Sequence, residues 1–121
     1  MAKARIPDAE GTAAVTAATA DFDQASRDTR ATAVRYLLQR LADAAEGNSV
    51  EVRVPPFGAV QCIEGPGHTR GTPPNVVEMD AATWIALATG GLVWGDAVDD
   101  ARVVASGQRA SLADHLPLHW T

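Results

Sequence analysis

From Ser26 onward, apolar side chains recur at intervals of three and four. Ala31, Val34, Leu37, Leu38, Leu41 and Ala45 fall along one face of an α-helix, while Arg30, Arg35, Gln39 and Arg40 sit largely elsewhere. Ser26 or Asp28 can cap the first turn, and Gly47-Asn48 can end the last by accepting a left-handed residue. The pattern predicts a long helix lying across a sheet. The period then drops to two: Val50, Val52 and Val54 alternate with Glu51 and Arg53, as in a half-buried strand. Pro55-Pro56-Phe57-Gly58 stops the ladder, because proline lacks an N–H and fixes φ. The chain reverses there into a second strand over residues 59–63, with Val60 and Cys62 on one face and Ala59, Gln61 and Ile63 on the other. Alternation does not say which face is buried.

Residues 65–74 read as a loop, with three glycines and a proline pair. A third strand is predicted over 75–79. Asp80 then caps a helix that carries Trp84, Leu87 and Ala88 on one side, with Thr83 as a weak box partner, and Gly90-Gly91 stops it. A short helix over 94–101, a strand over 103–105 and an amphipathic turn over 111–116 follow, the turn halted by Pro117. Residues 1–25, rich in alanine, threonine and acids, form a separate segment: a partly ordered arm, or a helix that packs only in context. Residues 26–121 make one domain. Its order of elements predicts an α+β fold, a mostly antiparallel sheet of about four or five strands covered on one face by helices.

Composition narrows the function. A chain of 121 residues supports one core and needs neither disulfide nor metal to fold. Cys62 is the only cysteine, which suits a reducing cytoplasm. The net charge of −5, from 15 acidic and 10 basic residues, argues against a nucleic-acid surface, which needs clustered cations. No apolar run approaches the ~20 residues of a membrane span, and the first residues are polar rather than a signal core. The expectation is a soluble, cytoplasmic protein.

Candidate chemistry is sparse. His68 and Arg70 form the sharpest polar pair, since a glycine- and proline-rich loop presents side chains rigidly and Arg70 could grip a carboxylate or phosphate through two parallel hydrogen bonds. Pairing of Arg70 with Glu78 would make the set structural, and no nucleophile accompanies it. His115 and His119 have the spacing of helical metal ligands, but Pro117 breaks the helix between them and no third ligand is evident. Cys62 reads as a small buried residue. Asp96, Asp99 and Asp100 read as a solvated face, lacking the loop and the glutamate of a calcium site. No cofactor is expected.

The succession Asp80, Trp84, Gly90, Ala97 and Val103 through Ser106-Gly107 resembles the C-terminal half of the sterol carrier protein type 2 fold, a small lipid-binding domain. The resemblance extends over about residues 28–118, within a branch similar to short standalone sterol carrier family proteins of actinobacteria. One departure is Ala101, where the family usually has glycine, so the turn into Arg102 would be made without easy access to positive φ. The resemblance implies an apolar tunnel between sheet and helices. Trp84, Leu87, Leu92, Trp94, Val98, Leu112 and Leu116 are the residues to place around it, with His68 and Arg70 at its mouth. Periodicity cannot distinguish a cavity wall from a core plug. The reading favoured is a binding module for an apolar, fatty-acyl or sterol-like lipid, without catalysis of its own. Its alternatives are an accessory domain or subunit resembling that of mycothiol-dependent maleylpyruvate isomerase, with the His68–Arg70 loop docking on a protein partner, and a solid-core structural protein whose N-terminal arm exchanges between the protomers of a homodimer.

Overall fold

In the computed structural model, which describes residues 5–66 and 74–121, two helices lead the chain, α1 (Asp8–Ala20) and α2 (Arg27–Ala44). Ser26, not Asp28, caps α2: its hydroxyl accepts the Thr29 N–H at 3.1 Å. All six positions of the predicted stripe are buried, and so are Ala33 and Tyr36. The buried arc is wider than one sheet requires because α1 packs on a second flank of α2. Gly11, Val15 and Ala18 form the buried side of α1, at helical spacing. The two helices meet at Gly11, where a Cβ would fall 2.1 Å from Cδ1 of Tyr36. The Tyr36 hydroxyl donates to Asp8 Oδ1 at 3.0 Å; burial, and then this bond, raise its pKa.

Helix α2 ends before Gly47, because the Ala45 carbonyl accepts the Ile63 N–H at 2.7 Å and the chain turns toward the sheet. The strands are β1 (Val50–Val54), β2 (Gly58–Cys62), β3 (Asn75–Met79) and β4 (Val103–Ser106), in the order β2-β1-β3-β4. β1 runs antiparallel to β2, β3 antiparallel to β4, and β1 parallel to β3. The sheet is therefore mixed, mostly antiparallel. Val52 opposite Val60 and Val50 opposite Cys62 put the Val60 and Cys62 side of β2 inward, which alternation had left open. Glu51, Arg53, Gln61, Glu78 and Val104 share the other face, where Arg53 pairs with Glu51.

Cys62 and Asn75 both flank Val50, so the end of β2 and the start of β3 lie on either side of the start of β1. Buried polar groups secure that end. The Asn75 amide donates to the Ser49 carbonyl and accepts the Arg109 N–H, each at 2.9 Å, and the Ser49 hydroxyl donates to the Ile63 carbonyl at 2.7 Å. A buried amide satisfied on both sides escapes the desolvation penalty of an unpaired one. These bonds hold Ile63 at φ 67, a left-handed conformation that β-branched residues avoid.

Asp80 caps α3 (Ala81–Thr89) by accepting the Thr83 N–H at 2.8 Å, and Gly90, at φ 89, ends it. The next helix, α4 (Trp94–Asp99), is shorter than expected. Ala101 turns left-handed at φ 57, letting the Arg102 N–H reach the Ala97 carbonyl at 2.9 Å. The chain thus takes the positive φ that its alanine disfavours. A single 3-10 turn, Ala113–His115, replaces the longer amphipathic turn. Trp84 lies in the core with its indole N–H donating to the Val34 carbonyl at 3.2 Å, tying α3 to α2. Among the described residues, no helix is long and apolar enough to cross a membrane.

Three outcomes follow from this packing. Gly11→Ala is favoured by helix propensity by ~1 kcal/mol, yet the clash with Tyr36 is expected to destabilise the protein by ~1–3 kcal/mol, read as a lower denaturation midpoint. Ala101→Gly should gain ~0.5–1 kcal/mol, the ~1–2 kcal/mol relief of left-handed backbone less the ~0.4–1 kcal/mol of added unfolded-state entropy; a thermal melt checks it. Burial pushes the Cys62 thiol from the ordinary 9.0 up to about 11. Its contribution is therefore complete below pH 9 and is lost as pH rises toward 11, where the unfolded thiol ionises first, by up to ~1.4 kcal/mol per pH unit. Denaturation of wild type and Cys62→Ala across that window should show the steeper loss in wild type.

Candidate functional site

With the sheet on one flank of α2 and α1 on another, a third stripe stays at the surface: Thr32, Arg35 and Gln39, spaced by three and four. β2 faces this stripe, and β2 is an outermost strand of the sheet. Between them lies a cleft of about 610 Å³, within the roughly 300–1,000 Å³ range of small-molecule sites. Ile6, Leu38, Phe57 and Val60 supply its apolar lining, and Arg5, Thr32, Arg35 and Gln39 its polar groups. Gly58 and Ala59 complete the wall on the β2 side.

Each polar group is placed by an identifiable contact. Arg35 Nε donates to the Phe57 carbonyl at 2.8 Å, which ties α2 to the β1-β2 turn and orients the guanidinium. Its two Nη groups make no hydrogen bond or ion pair among the described residues. The Arg27 guanidinium sits over the Phe57 ring, 5.2 Å from its centroid. The Gln39 side chain treats Ile6 as a strand neighbour would, accepting its N–H at 3.0 Å and donating to its carbonyl at 3.1 Å. Arg5 grips Asp43 with two hydrogen bonds, at 2.6 and 3.2 Å, and holds that carboxyl below the usual carboxylate range. The pair is well exposed, so solvent screens it and it adds little to stability. Among the described residues no carboxylate lines the cleft, although acids outnumber bases in the chain.

The residues singled out from sequence lie elsewhere. Trp84, Leu87 and Leu112 are sealed in the core. Leu92, Trp94 and Leu116 are half-buried against its edge, and Val98 is 46% exposed, because Ala97 is the position that α4 buries. Five surface concavities among the described residues, of about 240 to 610 Å³, are lined by other residues than these seven. His68 and Arg70 lie outside the described residues. Glu78 is exposed on the outer sheet face. His115 and His119 border a shallow depression where Arg40 donates to the His119 carbonyl at 2.6 and 3.1 Å. Among the described residues, no group of three or more His, Cys, Asp and Glu side chains could hold a metal ion. Arg35 and Gln39 were visible in the sequence only as the polar side of a helix; the identity of their neighbours across the cleft depends on strand order.

The sheet of four strands with α2, α3 and α4 coincides with residues 26–118, which match a family described as "Bacterial SCP ortholog". No curated protein matches the chain. Helix α1 and the cleft residues Arg5 and Ile6 precede the matched residues. Over the remainder, which is most of its length, this chain belongs to the bacterial SCP ortholog family.

Proposed function

We propose that this protein is a small binding module for apolar lipid, fatty-acyl or sterol-like, that performs no chemistry of its own and works in the cytoplasm. Membership of an SCP family suggests lipid binding in general terms. The observation that carries the finer reading is the α2-β2 cleft of about 610 Å³, with an apolar lining and a few convergent polar groups in the pattern of ligand sites. The lipid's apolar body lies along Ile6, Leu38, Phe57 and Val60. The core around Trp84 stays closed, since its indole N–H is already committed to the Val34 carbonyl.

Native mass spectrometry of the purified protein, followed by extraction of whatever co-purifies, is the direct test. A stoichiometric apolar adduct is expected, and Val60→Asp should reduce it by placing a charge on the lining. A bare mass that does not shift on addition of fatty acids or sterols rejects the carrier reading.

A further inference from the structure

We infer that the cleft selects a single-chain lipid with a carboxylate head, and that Arg35 is the group that reads the head. This rests on the cleft being the seat of the lipid. Three observations converge on it. The charged residues of the lining are both arginines, in a chain with a net charge of −5. Arg5 is occupied by a bidentate pair with Asp43, whereas Arg35 spends only its Nε, on the Phe57 carbonyl. That bond fixes the plane of the guanidinium and leaves its two Nη groups as a fork, a geometry that matches a carboxylate through two parallel hydrogen bonds. The apolar residues are contiguous with the fork: Leu38 lies one helical turn beyond Arg35 on α2, and Phe57 supplies the carbonyl that holds it. A head at Arg35 therefore leaves its chain on Leu38, Phe57 and Val60, with Ile6 above, latched by Gln39.

The wall contributed by Arg5 and Ile6 lies before the residues matched to the family, so this seat is built partly by the chain's own N-terminal segment. Thr32, on the same stripe as Arg35, adds a hydroxyl for the second lone pairs of the carboxylate.

Isothermal titration with dodecanoic acid, methyl dodecanoate and sodium acetate at neutral pH separates head from chain. The acid is expected to bind roughly 10- to 100-fold more tightly than the ester, the range for a charge-assisted bidentate contact. Arg35→Gln should abolish that preference, so that the variant binds acid and ester alike. Acetate should not compete; if it does, the site is a simple anion site and the lipid selection is wrong. Equal binding of acid and ester by wild type, or an acid preference that survives Arg35→Gln, overturns the role of Arg35 but leaves the lipid seat standing. Binding of neither acid nor ester rejects the seat itself. Should Arg35→Gln lose the ester too, Arg35→Lys decides: a retained but reduced acid preference supports the inference, and its complete absence refutes it.

Discussion

Helix α2 is dehydrated on two flanks at once, by the inner face of the sheet and by α1, and the positions of the other elements follow from that. Burying each Leu, Val or Tyr of the stripe contributes ~1.5–3 kcal/mol, far more than any exposed ion pair on this surface. The α1 flank is possible only because position 11 has no side chain, so that the Tyr36 ring lies directly on the α1 backbone. Helix α3 is tied to α2 by one directional bond, from the Trp84 indole to the Val34 carbonyl. What is left of α2 is a narrow polar stripe, and the cleft exists because nothing in the described chain covers it.

A second constraint operates at the other end of the sheet. The parallel β1-β3 pair sets the end of β2 and the start of β3 on either side of the start of β1, and backbone groups there are met by Asn75 and Ser49. Bonds at the same end hold Ile63 left-handed. Ala101 is held left-handed as well, by the closing bond of α4. At both sites several hydrogen bonds outweigh a local preference worth ~1–2 kcal/mol.

The sequence reading placed a ligand among Trp84, Leu87, Leu92, Trp94, Val98, Leu112 and Leu116 because apolar spacing marks a face for burial without saying what buries it. Three of the seven are sealed, three are half-covered and Val98 faces solvent. The cleft was harder to read for the opposite reason. Its residues come from three separated segments, and their polar members look like any solvated helix face until the edge strand and residues 5–6 are brought against them.

Periodicity and capping were enough to determine most elements and the α+β class, because both depend on contacts within a few residues: Ser26, Asp80 and Gly90 end their helices as their local chemistry dictates. Family membership was legible in the C-terminal half for the same reason. Only the tertiary structure decided that β1 and β3 run parallel, that Val60 and Cys62 face inward, that α1 is part of the core, and that Arg35 stands over an apolar cleft. Each of these is a choice of partner between segments distant in the chain, set by the total area buried and the polar groups satisfied. No local pattern encodes that sum.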